Sequence, residues 1–165
     1  MAANNVTRLL QSRKIPFTAY DLPAEKLGAL ETAHLLDVPS QTVFKTIVVT
    51  REKAGKPILA VIPGPNEVDL KALAACVREK KVVLPTEREA ETLTGLQAGG
   101  ISPLALINKG FQVILDDSAR KYEQIHISGG QRGLNIKLPV AALIQLTSAH
   151  LGHISHPAQE ESGVD

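Results

Sequence analysis

The stretch Val43-Phe44-Lys45-Thr46-Ile47-Val48-Val49 limits what this chain can fold into more than any other segment. At the two-residue period of a strand, Val43, Lys45, Ile47 and Val49 share one face and Phe44, Thr46 and Val48 share the other. Both faces are largely apolar, so the strand is expected to be covered on both sides. An ammonium in such a strand must reach water along its stem or find a partner, because an unpaired buried charge shifts its pKa or costs several kcal/mol. Lys45 is therefore either an inward charge that protects a sheet edge or a functional group lining a pocket.

The segments around it alternate irregularly between helical and strand patterns. Helices are expected from Asn5 to Arg13, from Ala29 to Leu36, from an Asp69 N-cap to near Glu79, from the Thr86-Glu87-Arg88-Glu89 capping box to Gly95, and over Val140 to Leu146 after Pro139. Strands are expected at Ile15 to Tyr20, Val43 to Thr50, Pro57 to Ile62, Lys81 to Leu84, Phe111 to Leu115, Gln124 to Ser128 and Leu134 to Leu138. The polar, glycine-containing connection Arg51 to Lys56 makes the second and third of these a hairpin. This order reads as an α+β fold with a mixed sheet, not a doubly wound one. With 165 residues and no repeat or linker, one domain is expected over residues 1–156, followed by a polar, flexible tail over 157–165.

Several function classes are set aside by composition. A net charge of +1 argues against binding nucleic acid by bulk electrostatics, although Lys109, Arg120, Lys121 and Arg132 are candidates for a local basic patch. No run approaches the roughly 18 to 20 apolar residues of a membrane span. Met1 to Asn5 shows no basic region followed by an apolar one, so a cytoplasmic location without membrane partners is expected. Cys76 is the single cysteine, which removes intramolecular disulfides and thiolate-rich metal sites, and nothing near it in sequence would lower its pKa. His150, His153 and His156 are spaced so that neither a helix nor a strand converges all three on one ion. No metal and no cofactor are expected. His34 and His126 read as packed or exposed histidines.

Two glycine-rich loops remain. Gly95 to Pro103 and Ser128 to Gly133 lack the endings of a phosphate-binding P-loop and the spacing of a dinucleotide fingerprint. Each alone is a turn; together they suggest backbone brought close to a ligand, where N–H groups can meet a carbonyl oxygen or a phosphate.

Val43-Phe44-Lys45-Thr46, Gly99-Gly100-Ile101-Ser102-Pro103-Leu104 and Ser128-Gly129-Gly130-Gln131-Arg132-Gly133-Leu134 together resemble the YbaK family of free-standing aminoacyl-tRNA deacylases, related to the editing domain of bacterial prolyl-tRNA synthetases. The similarity runs from about Val6 to about Leu146. It implies a single compact α+β domain with a strongly curved, barrel-like mixed sheet surrounded by helices. It implies a pocket for the 3′ end of aminoacyl-tRNA(Pro), with prolyl-tRNA synthetase as a transient partner. Lys45 would contact the terminal nucleotide or ester, with Thr46 beside it. Gly99, Gly100, Ile101 and Ser102 would hold the ester carbonyl, Lys45, Gly100 and Ser102 being the catalytic set. Gly129, Gly130 and Arg132 would line the other side, with Tyr20 near a pocket tyrosine of the family.

The implied reaction is removal of cysteine from mischarged Cys-tRNA(Pro), the substrate's own thiol attacking its ester carbonyl to release a thiolactone and free tRNA. Removal of alanine from Ala-tRNA(Pro) by water, and binding without turnover, are the alternatives. The chain departs from the cysteine-specific members in two places: Asn135 stands where they carry aspartate, and Leu27 or Gly28 where they carry an aromatic.

Overall fold

A computed structural model describes residues 3–158. Its helices begin and end where local chemistry dictates. Helix α1 (Asn5–Ser12) opens on a capping box in which Thr7 N–H meets Asn4 Oδ1 at 2.9 Å and Asn4 N–H meets Thr7 Oγ1 at 3.0 Å. It buries Val6 and Leu10. The strand β1 (Thr18–Asp21) and helix α2 (Ala29–Leu36) follow, α2 ending on Asp37 in the left-handed conformation.

Next come β2 (Phe44–Arg51), β3 (Ile58–Pro63), β4 (Asn66–Val68), α3 (Leu70–Cys76, capped by Asp69) and β5 (Val82–Val83). Helix α4 (Glu87–Thr94) has the Thr86–Glu89 capping box and stops at Gly95 in the left-handed conformation. The chain closes with β6 (Gln112–Asp116), β7 (Gln124–Ser128), β8 (Leu134–Pro139), α5 (Val140–Thr147), β9 (His150–Gly152) and β10 (Ser155–Pro157). No described helix is long and apolar enough to cross a membrane.

The strands form three sheets among the described residues. The largest has the order β5-β2-β3-β6-β9 and is mixed: β2 and β3 are the expected hairpin, with Lys45 opposite Ile62, whereas β6 runs parallel to both β3 and β9. The second, β1-β8-β7, is antiparallel. The third is a ribbon of β4 and β10.

Both faces of β3 are buried. Leu59 and Val61 join Phe44, Val48, Leu115, Ile125, Ile127, Ile136 and Leu138 in one core, with residues of β2, β6, β7 and β8. Ile58, Ala60 and Ile62 join Val49, Leu73, Ala74 and Ile114 in a second core, covered by α3. Burying each such aliphatic side chain contributes roughly 1.5–3 kcal/mol.

The expected barrel-like single sheet is not found. The five- and three-stranded sheets are joined by one parallel bridge, Val43 to His126, and beyond it no ladder continues. From Phe44 onward β2 takes its ladder from β3, and β7 takes its own from β8, so the two sheets meet only at that bridge. The strands β4, β9 and β10 were not expected from sequence. Pro157, assigned there to the flexible tail, pairs with Asn66 in the ribbon, and Ala158 N–H donates to Pro65 O at 3.1 Å. The remainder of that tail lies outside the described residues.

Candidate functional site

Where the two larger sheets part, they leave a cavity of about 270 Å³. One wall is the start of β2, Val43 to Thr46. Ser128 and Asn135, paired across β7 and β8, face it together with Leu134. Ala98, Gly99 and Ile101 close one side, and the segment Leu22 to Ala29 closes another.

Lys45 is half-buried in this wall. Among the described residues its ammonium has no hydrogen-bond or ion-pair partner. Burial holds its pKa below the usual lysine value, partly offset by the field of Glu67. A desolvated cation without a protein partner is a group waiting for an acceptor.

The two glycine loops are locked to one another. At Gly100 a Cβ would come within 2.9 Å of the Gln131 backbone, so only glycine allows this approach. Gly99 has φ +89° and packs on the backbone of Lys26 and Leu27. Arg132 Nε donates to Ala98 O at 2.7 Å, while Ala98 N–H donates to Glu91 Oε2 at 2.7 Å. Gly100 N–H is already given to Gln97 O at 2.8 Å. The N–H groups of Gly99 and Ile101 meet no internal acceptor among the described residues.

Of the residues singled out from sequence, Lys45, Thr46, Gly99, Ile101 and Asn135 thus come together around one space. Others do not line it. Ser102 is fully buried, its hydroxyl accepting from Leu104 N–H at 3.2 Å, and Gly100 lies against Gln131; both shape the loop from behind. Gly129 closes the second loop through its N–H to Leu134 O at 2.8 Å, and its carbonyl accepts from Asn4 Nδ2 at 2.9 Å. Gly130 packs against Val6 and Ala105. Arg132 serves as the tie between the loops. Tyr20 stands opposite Asn135 in β1, its ring 5.5 Å from that of His126.

Of the segment Leu22 to Ala29, the sequence singles out only Leu27 and Gly28. The segment docks through Leu22 N–H to Gly133 O at 2.9 Å and through Lys26 Nζ to Glu87 Oε2 at 2.6 Å. Leu27 and Gly28 both line the cavity. On sequence alone His126 reads only as a packed or exposed residue. It is buried, and its Nδ1 lies 2.8 Å from Asn135 Oδ1.

The other gathering of ionisable groups lies elsewhere. Asp116, Asp117 and His153 have ligand atoms within 4.8 Å of one another, whereas His156 pairs with Glu67. Asp116 is committed: Oδ1 accepts from Ile154 N–H at 3.1 Å and Ser155 Oγ at 2.9 Å, and Oδ2 from Ser118 N–H at 3.2 Å and Ser118 Oγ at 2.6 Å. Its carboxylate pins the β9–β10 connection to the end of β6. Cys76 is exposed on α3.

The comparisons with known proteins agree on one family and one fold. The family profile described as "Aminoacyl-tRNA editing domain" matches residues 23–146. A protein of Enterococcus faecalis provisionally named Cys-tRNA(Pro)/Cys-tRNA(Cys) deacylase EbsC is 35% identical over 153 residues, 92% of either chain. A proline–tRNA ligase of Treponema pallidum is 32% identical over 83 residues, 48% of this chain and 14% of that enzyme. In structure, hypothetical protein APE2540 superposes with a TM-score of 0.84 over 93% of this chain and all of its own, at 22% identity. The crystal structure of a provisional trans-editing enzyme for prolyl-tRNA synthetase gives 0.77 over 94% and 99%, at 23% identity. These two superpositions establish the shared fold.

Proposed function

The chain belongs to the aminoacyl-tRNA editing domain family, and from that premise we propose that it deacylates mischarged aminoacyl-tRNA in trans, with Cys-tRNA(Pro) as the substrate. The observation that carries this reading is the half-buried ammonium of Lys45, without a partner among the described residues, in a cavity also lined by Gly99 and Ile101, whose backbone N–H groups meet no internal acceptor there. The space suits a terminal nucleoside and its acyl group and excludes the body of a tRNA.

In this reading Lys45 binds the terminal nucleotide or the ester oxygen, and Thr46 packs beside it. The N–H groups of Gly99 and Ile101 meet the carbonyl oxygen as it gains charge, the arrangement that most effectively lowers the barrier to acyl transfer. Gly100, Ser102, Gly129, Gly130 and Arg132 act indirectly, by keeping the two loops in register.

Among the described residues the cavity wall holds no protein nucleophile with a partnering base, and the substrate supplies its own. The cysteinyl thiol attacks the ester carbonyl, forming an S–C bond as the ester C–O bond breaks. The thiol proton ends on the released ribose oxygen, giving free tRNA and a cyclic thiolactone. Holding thiol and carbonyl in one small space supplies the acceleration. A net charge of +1 provides little long-range attraction for tRNA, so selection of tRNA(Pro) is assigned to a transient complex with prolyl-tRNA synthetase.

One assay tests the reading: incubation with Cys-tRNA(Pro), Ala-tRNA(Pro) and the S-methylated cysteinyl ester. Loss of the free-thiol substrate alone is expected. Loss of the alanyl ester instead makes the enzyme a water-using alanyl deacylase, and tight binding without turnover makes it a binding module.

A further inference from the structure

Asn135 is 5% exposed and contributes to the cavity wall. Its Oδ1 lies 2.8 Å from His126 Nδ1, and an amide oxygen only accepts, so the imidazole hydrogen belongs on Nδ1. The histidine cannot readily turn away. It is only 4% exposed, and the Tyr20 ring packs beside it, centroids 5.5 Å apart at an interplanar angle of 45°. With Oδ1 directed at His126, the two Nδ2 hydrogens of Asn135 have no acceptor among the described residues.

We propose that His126 is a positioning residue that holds Asn135 with its N–H donors toward the cavity, so that the site reads an acceptor oxygen of the substrate and not the charge of its α-ammonium. The inference rests on the function proposed above and specifies what that pocket selects. The remaining charges agree with it. Lys45 adds a second donor to the same cavity. Of the carboxylates lining the cavity, Glu87 is paired with Lys26 and Glu25 is exposed. Among the described residues no buried carboxylate lines the cavity to hold a substrate cation, so replacing the α-ammonium by a neutral hydroxyl should cost little affinity.

The test uses two readouts on the full chain. The first is the tautomer of His126, read by long-range ¹H–¹⁵N correlation. The Nδ1–H form is expected, and an Nε2–H form, which would require the amide turned round, overturns the proposal. The second is binding of two non-hydrolysable probes, 3′-amino-3′-deoxyadenosine acylated with an α-amino acid or with the matching α-hydroxy acid. Wild type should bind both within about threefold, and Asn135→Asp should favour the α-amino probe by about tenfold or more. His126→Phe, which frees the amide to turn its oxygen inward, should shift the ratio the same way. His126→Gln, which keeps an N–H donor, should return the ratio to that of wild type. A folded His126→Phe protein with the wild-type ratio overturns the proposal. Failure of wild type to bind either probe would count against the deacylase reading instead, while an Nδ1–H tautomer would still support the orientation of Asn135.

Discussion

Asp116 and Lys45 are both charged side chains drawn out of bulk water, and the protein treats them in opposite ways. Asp116 accepts four hydrogen bonds from two segments and is saturated. Lys45 sits half-buried and has no such partner among the described residues. A saturated ion holds chain segments together, because removing it strands every donor aimed at it. An unsaturated one costs stability and is retained for what it can bind. By this criterion Asp116 is architecture and the wall around Lys45 is the proposed site.

The largest effect should come from breaking the saturated region. Asp116→Ala leaves four donors unanswered and is expected to cost about 3 kcal/mol of stability, measured by denaturant unfolding, with deacylation per folded molecule unchanged. If the variant unfolds like wild type, the four hydrogen bonds do not hold the β9–β10 connection.

At the cavity the balance reverses. Lys45→Ala should lower deacylation at least about tenfold, equivalent to 1.4 kcal/mol of transition-state stabilisation. Lys45→Met should melt no lower than wild type, since it removes a desolvated charge. A wild-type rate for the alanine variant would show that Lys45 is not part of the site.

A smaller effect separates the histidine behind Asn135 from those at the surface. Burial holds the His126 pKa below the ordinary imidazole value of 6.5, an effect reinforced by Lys137 and opposed by the Asn135 hydrogen bond. The native state therefore resists a proton that the unfolded chain accepts. As pH falls from 6.5 toward the lower native value, stability declines, and His126→Gln should lack that part of the slope. An unchanged slope in chemical denaturation would place the titration elsewhere.

The smallest expected effect is none: extensive chelation should leave the rate unchanged, since Asp116, the buried carboxylate of the cluster, is committed to the fold. Lost activity restored by zinc would reverse the contrast drawn here.

Legibility in the sequence follows the same division between local and distant partners. Asp69, Thr86, Glu89 and Gly95 announce helix ends because their partners are within a few residues. The β2–β3 hairpin is legible for the same reason. The ribbon of β4 and β10 is not, since three-residue strands carry no readable period and Ser155 meets Val68 from far along the chain. Nor does periodicity reveal that the ladder beyond Val43 and His126 is missing, which turns an expected barrel into separate sheets. In the site, Lys45 was conspicuous as a charge among apolar neighbours. The Leu22 to Ala29 wall and the His126–Asn135 contact have no local signature; they exist only through docking to Gly99, Gly133 and β8.

The cavity is walled by segments scattered from Leu22 to Asn135, and no short piece of chain contains a recognisable fraction of it. An unfolded chain therefore offers the ligand almost no affinity, and occupancy draws only on the native state. A non-hydrolysable acyl-adenosine at a hundred times its Kd would add about 2.7 kcal/mol to the unfolding free energy. Thermal shift with such compounds is thus an assay for ligands of this pocket that does not depend on turnover, and it extends to variants whose chemistry has been abolished.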